Sequence, residues 1–531
     1  MNVCLKHRFH HLGPALGLVL FSALPASAQL VDNTQSQNDL QAGIKKSLDQ
    51  EYGAGRGDWM TPDSSSFLIS RDPFRAIRRG RQLFQRKFIR AQGQGPRVND
   101  GLGDLNTNLA LGAGLSDSCA ACHGRPRGAA GSGGDVATRP DSRDAPHLFG
   151  LGLKEMLADE ITADLRAIRD DAQAEARRRG HKVKRKLESK GIDFGWITAN
   201  PDGSVDTEEV EGVDPDLRVR PFFSHGGTIS IREFVVGALR GEMGLEAVDQ
   251  DLATAAAGGR VLTPSGMILD GSLDAIEAPP TSDPSADPDH DGIANEVPAA
   301  LVDYLEFYLL NYFKPATDRE TEQTRKGRKL FHRIGCASCH MAELTIDHDR
   351  RVANVETTFD AARGIFNRLY ATATTLTVEK DDHSGYPTLK LPMGEPFVVE
   401  NIFTDFKRHD LGSSFHERNY DGSLRTQFLT TPLWGVGTTA PYGHDGRSIS
   451  LREVILRHGG EAAAARDKFA QLGDDGKQEA ILAFLQSLVI FPPDDTASNL
   501  DPGDPSQPSF PQLGHGSIKL AVLFNDPGDG E

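Results

Sequence analysis

Cysteine, tryptophan and positive charge are all in short supply in this 531-residue chain. Five cysteines are too few to staple a disulfide scaffold, so the fold must rest on a buried apolar core. No apolar run reaches the roughly 20 residues of a spanning helix, which argues against an integral membrane protein. Basic residues number 58 against 75 acidic ones, a formal charge of −17, and no basic block is dense enough to track a phosphate backbone. Nucleic acid is therefore not an expected partner. What remains, 38% hydrophobic and 25% charged residues, supplies core for roughly two to four domains. The 55 glycines and 30 prolines predict a loop-rich globular protein.

The N-terminus reads as a cleavable signal peptide, residues 1–28. Lys6 and Arg8 precede an apolar stretch from Gly13 to Leu24, and Ala26-Ser27-Ala28 offers small residues for cleavage after Ala28. A membrane anchor is the alternative, but the stretch is short for one. The mature chain is expected in the periplasm or secreted, with no membrane span, and cleavage removes Cys4.

The four remaining cysteines all lie in two motifs, Cys119-Ala-Ala-Cys122-His123 and Cys336-Ala-Ser-Cys339-His340. Two thiols three positions apart can add to the two vinyl groups of a haem, and the adjacent imidazole can then ligate its iron. Without the histidine the spacing would indicate a redox disulfide, and with other spacings a zinc site. Two covalently bound haem c groups are the expectation, and export agrees with it.

Segments around the motifs come in matched pairs. Gly80 to Arg86 (GRQLFQR) precedes the first motif and Gly327 to Arg333 (GRKLFHR) the second. Downstream, Pro221 to Ala238 aligns without gaps, at an offset of 220, with Pro441 to His458, while His123 and His340 are 217 apart. The pattern predicts two copies of one haem-binding unit, which differ at one position. His458, at the end of an amphipathic segment opened by a Ser450 cap, is placed as a sixth iron ligand, whereas its counterpart is Ala238. One haem is thus expected to be bis-His and the other to keep an open face. Two alternatives stay open: His458 as an ordinary helix-terminal histidine, and Met243 or His147 as a cap on the first iron.

With these residues in hand, the chain resembles the dihaem cytochrome c peroxidase superfamily, most closely the dihaem oxidoreductase/peroxidase family, with rubber oxygenases as distant relatives. Thr431-Pro-Leu-Trp434-Gly, Ala440-Pro-Tyr-Gly-His444-Asp-Gly-Arg447 and His458-Gly-Gly-Glu461-Ala carry the likeness, which runs from about Arg75 to Leu488. The resemblance implies that His123 and His340 are proximal ligands and that His458 caps the electron-accepting haem. It makes Glu242, in Glu242-Met243-Gly244, the acid–base residue beside the peroxidatic haem; a solvated helix-end acid is the alternative. It also implies that Asp144, Thr439 and Pro441 offer oxygens to an interdomain calcium. Two family features are missing. Ser224 stands where the peroxidases have an inter-haem tryptophan, leaving Phe222, Phe223, Trp434 and Trp196 as candidate relays or plain core, and no histidine occurs from Gly124 to Asp144.

Two insertions complete the reading. Residues 154–190 look like a densely charged helix carrying Arg177, Arg178, Arg179, Lys182, Lys184, Arg185 and Lys186, either a solvated face or a dock for an acidic partner. Residues 251–298 are acidic and include Asp287, Asp289 and Asp291 followed by Gly292, a pattern that suits a calcium loop or a plain acidic turn. Pro298 at the twelfth position rules out an EF-hand.

The expected fold is mainly α: two cytochrome c-like haem domains related by internal repeat, with long loop insertions. Residues 29–74 form an N-terminal extension, 75–250 the first haem domain, 299–490 the second, and 491–531 a Pro/Asp/Gly-rich tail. The expected function is a periplasmic dihaem peroxidase, fed by a soluble electron donor such as a small cytochrome c or cupredoxin and reducing hydrogen peroxide or another small oxidant. The alternatives are a pure electron-transfer cytochrome and an oxygenase acting with O2 on an organic substrate.

Overall fold

The structure is a computed structural model that describes residues 47–95, 116–123, 144–312, 314–359, 369–419, 421–473 and 476–489. The signal peptide 1–28, the tail 491–531 and nearly all of the loop after the first haem motif lie outside the described residues.

Each haem motif is preceded by an amphipathic helix whose apolar face is buried against a later helix. Pro73–Gln85 starts at an Asp72 cap with proline in its first turn and buries Phe74, Ile77, Leu83 and Phe84. It crosses Ala299–Leu310, which is apolar almost all round and is accordingly the centre of the first core. Glu322–Ile334 starts at a Thr321 capping box, buries Leu330, Phe331 and Ile334, and crosses Lys477–Gln486. Both crossings are closed over a glycine. A Cβ on Gly80 would run into the Tyr304 carbonyl, and one on Gly327 into the Ala480 carbonyl.

The helix Ile231–Met243 is tied to this frame at its first turn. Ser230 caps it, and the fully buried Arg232 reaches Asp249 (2.7 Å), Asp303 (2.9 Å) and Glu306 (2.7 Å). A buried guanidinium is tolerated only when its charge is met in this way, so the network fixes the angle of the helix against Ala299–Leu310. The aligned Arg452 instead lies near the surface beside Glu479 (2.7 Å).

A further core forms on the long helix Leu151–Arg179. Its Met156, Leu157, Ile161 and Leu165 meet Phe194 and Ile197 of a following hairpin, and the same cluster takes in Ile346, Phe406 and Trp434 from beyond the second haem motif. The helix ends at Gly180 in the left-handed conformation, and the chain then pairs Val183–Ser189 with Ile192–Ala199 around Lys190-Gly191, both at positive φ (50° and 79°).

This corrects the mainly α expectation. Among the described residues 37% are helical and 18% are in strands, arranged as one three-stranded sheet and seven two-stranded ones. The two halves are not shown to be copies of a cytochrome c-like domain, since the sheets differ in number and placement between them. Within the expected helix 154–190, Lys184, Arg185 and Lys186 stand on a strand. Hairpin strands of two to eight residues contain too few alternations to stand out against the charges around them. Among the described residues, no helix is long and apolar enough to cross a membrane.

Alanine at Gly80 or Gly327 is expected to lower stability by about 1–3 kcal/mol through overpacking against backbone, more than the helix-propensity gain of about 1 kcal/mol returns. Thermal unfolding of the two variants beside the parent checks this.

Candidate functional site

Both Cys-x-x-Cys-His motifs open onto one cavity of about 1460 Å³. Phe84, Leu239, Leu305 and Leu309 line it on one side, and Phe331, Phe415, Ile455 and Leu485 on the other. Cys119, Cys122, Cys336 and Cys339 border it and are not joined in disulfides. Burial pushes the Cys119 and Cys336 thiols up to about 12, which keeps their protons on near neutral pH.

Three cavity-facing histidines share one arrangement. His123 Nδ1 lies 2.6 Å from the Pro146 carbonyl, His340 Nδ1 3.1 Å from that of Phe403, and His458 Nδ1 2.7 Å from that of Val454. A carbonyl only accepts, so Nδ1 must carry the proton and Nε2 keeps its lone pair. Burial holds all three below the usual histidine range, His340 down to about 4, which makes them neutral imidazoles. An apolar cavity, four thiols and Nε2 lone pairs form a donor set that fits haem at both motifs.

The two ends of the cavity differ. His458 caps the C-terminus of Leu451–Arg457, whose N-terminus is held by Ser450, and it is close enough to His340 to depress that group's protonation. On the side of the first motif, Ala238, Glu242 and Met243 line the cavity from the helix Ile231–Met243. His147 is committed at both nitrogens: Nε2–H donates to the Trp434 carbonyl (2.6 Å), and Nδ1 accepts from the Phe149 amide (3.2 Å).

The other singled-out residues divide. Asp144, Thr439 and Pro441 line the same cavity. A Cβ on Gly446 would lie 3.2 Å from Asp144 Cβ and 3.4 Å from Pro441 Cγ, so Asp144 and Pro441 converge there. Burial pushes the Asp144 carboxyl up to about 6. Asp287, Asp289 and Asp291 lie off the cavity, with candidate ligand oxygens within 4.8 Å of one another. Phe222, Phe223 and Trp434 line the cavity, whereas Trp196 is 41% exposed and does not.

Two functional candidates escaped the sequence reading. Lys154 faces the cavity, its Nζ 5.6 Å from the centroid of the Phe222 ring, and burial pulls it down to about 8. A cation so placed is a natural partner for a haem propionate. His409 is gripped by Asp405 through Nε2 (2.9 Å) and Glu461 through Nδ1 (2.6 Å), beside Cys339. Burial opposes its charge, but these carboxylates outweigh it and hold the imidazolium up to about 11. Asp405 four residues before His409 was the one available signal; Glu461 is remote in sequence.

Because the folded value of His409 lies above the ordinary one near 6.5, its protonation stabilises the fold. That contribution is complete below about pH 6.5 and is lost as pH climbs toward 11. The stability gap between the parent and His409→Gln should therefore be widest near pH 6 and narrow by pH 10, as measured by denaturant unfolding across that range.

Residues 343–488 match the model of the family described as "Di-haem oxidoreductase, putative peroxidase". No curated protein sequence matches the chain. Among solved structures, a MauG-like protein associated with microbial copper homeostasis is 13% identical, with a TM-score of 0.25, over 64% of this chain and 89% of its own. Kuenenia stuttgartiensis hydrazine synthase is 14% identical, with a TM-score of 0.21, over 36% of this chain. The chain spans 55% of that protein's length. Superpositions this loose carry no functional argument. The family match covers the C-terminal wall of the cavity, from just beyond the Cys336-x-x-Cys339-His340 motif through His458, and over that span the chain is similar to the di-haem oxidoreductases.

Proposed function

We propose that this chain is an extracytoplasmic dihaem c-type oxidoreductase that works as a peroxidase. One haem c would be attached through Cys119 and Cys122 with His123 as proximal ligand, the other through Cys336 and Cys339 with His340. The observation that carries the reading is the asymmetry of the cavity: an Nε2 lone pair of His458 at one end, and the methyl group of Ala238 at the other. A centre gripped by two imidazoles suits electron transfer, and a centre with one free face suits binding of a small oxidant.

When bound, haem supplies iron that takes electrons one at a time and delivers them to peroxide. The chain's own residues do the rest. Electrons from a soluble donor, a small cytochrome c or a cupredoxin, enter on the His340/His458 side. Hydrogen peroxide takes up two electrons and two protons and leaves as two waters. Glu242 moves a proton from one peroxide oxygen to the other, which makes water the leaving group. The largely apolar lining lowers the local dielectric and strengthens this electrostatic assistance. Lys154 would pair with a haem propionate, and the oxygens of Asp144, Thr439 and Pro441 would offer a hard-cation site beside the cavity.

The competing reading, a pure electron carrier, draws on Met243, which shares the helix turn with Glu242 and lines the same cavity. Peroxide turnover by the haem-loaded protein with a reduced cytochrome donor separates the two. Glu242→Gln, with haem spectra unaltered, is expected to lower kcat by about 10²- to 10⁴-fold. Unchanged turnover would remove Glu242 from the mechanism, and a parent protein that turns over no peroxide would overturn the peroxidase reading.

A further inference from the structure

Away from the cavity, five carboxylates converge where the acidic insertion meets the segment that follows Glu242. Three belong to the loop: Asp287, Asp289 and Asp291, with His290 (φ 63°) and Gly292 (φ 92°) turning the chain between and after them. The other two arrive on neighbouring strands. Ala247 and Val297 form an isolated parallel bridge, which sets Glu246 beside Glu296, and the Glu246 amide donates to Glu296 Oε2 (2.8 Å). Both are buried, at 2% and 4% exposure.

Turn geometry accounts for part of this cluster. Asp287 accepts from the Asp291 and Gly292 amides, as acidic turns commonly do. It does not account for the two glutamates. Among the described residues, Glu296 Oε1 and Glu246 Oε2 are buried and accept no hydrogen bond. The cation paired with Glu246 is Arg240, whose Nε stands 3.6 Å from Oε1 on a half-exposed side chain. Glu296 feels Asp289, Asp291 and Glu246 as like charges. Buried carboxylate oxygens without donors, set among further carboxylates, are tolerated when a cation neutralises them.

We propose that Asp287, Asp289, Asp291, Glu246 and Glu296 together form a calcium site that clamps the acidic insertion onto the chain leaving the Glu242 helix. The donor set is all oxygen, carries several negative charges and comes from two stretches of chain joined by the Ala247–Val297 bridge, which suits the six to eight ligands of calcium better than the strict octahedron of magnesium. The clamp reaches a third segment. A Cβ on Gly93 would collide with the Glu296 carboxylate, and the Gly95 amide donates to the Met243 carbonyl (3.3 Å). The helix carrying Glu242 ends in a left-handed Gly244, its amide bonded to the Arg240 carbonyl, and Glu246 follows two residues later. Filling the site therefore fixes the last turn of that helix. The metal site stands whether or not peroxide is the substrate; only its effect on Glu242 rests on the peroxidase reading.

The test uses the haem-loaded full chain, stripped with EDTA and titrated with CaCl2, with metal content and thermal unfolding as readouts. The parent is expected to bind calcium and to unfold at higher temperature with it. Glu296→Gln and Asp289→Asn should each weaken this binding by about tenfold or more and abolish the matching thermal shift, whereas Asp283→Asn, at an exposed carboxylate of the same insertion outside the cluster, should retain both. Asp287→Asn, at a half-buried position of the loop, is a milder variant should the buried ones fold poorly. A parent that binds no calcium overturns the proposal, as does calcium affinity unchanged in all three loop and glutamate variants.

Discussion

A histidine can ligate a metal only when one ring nitrogen is free of its proton and aimed at the ion, and a flexible side chain rarely holds that state by itself. In this chain a backbone carbonyl does so for each of His123, His340 and His458, by accepting the Nδ1 proton. The carbonyls belong to Pro146, Phe403 and Val454, so the tautomers depend on three separate segments being correctly placed. Those placements depend in turn on the glycine-closed helix crossings and on the cluster beneath Trp434. The tautomers that face the cavity are thus fixed by main-chain carbonyls around its wall.

Charge is distributed to the same end. Burial keeps His123, His340 and His458 neutral, while His409, which lines the same cavity, is kept charged by two carboxylates. Arg232 is buried without loss because three acids meet it, and this anchors the helix that delivers Ala238, Glu242 and Met243 to the cavity. At the opposite end of that helix lie the acidic loop and Glu246. One helix is therefore held by a buried cation at its start and by a carboxylate cluster just past its end.

The two Cys-x-x-Cys-His motifs were legible because their signal is a local spacing that no tertiary contact can alter. The pairing of His458 with Ala238 could be read from an ungapped alignment and a serine cap. Lys154 was not legible as a cavity residue: in sequence it is one more cation in a charged helix, and only packing turns it inward. Glu246 and Glu296 were missed for a related reason, since a parallel bridge joins positions 50 residues apart. The strands escaped because each hairpin is short, and the Lys190-Gly191 turn sat inside a stretch whose charges pointed to helix. The mainly α expectation erred by extending the helical periodicity of a few segments over the chain between them.

The claim on which the account stands is that the two centres are unequal. Carbon monoxide titration of the fully reduced, haem-loaded protein measures this directly. One carbon monoxide bound per two haems, with the remaining haem low-spin and inert, is the predicted result. Binding to neither haem, or to both, would contradict it.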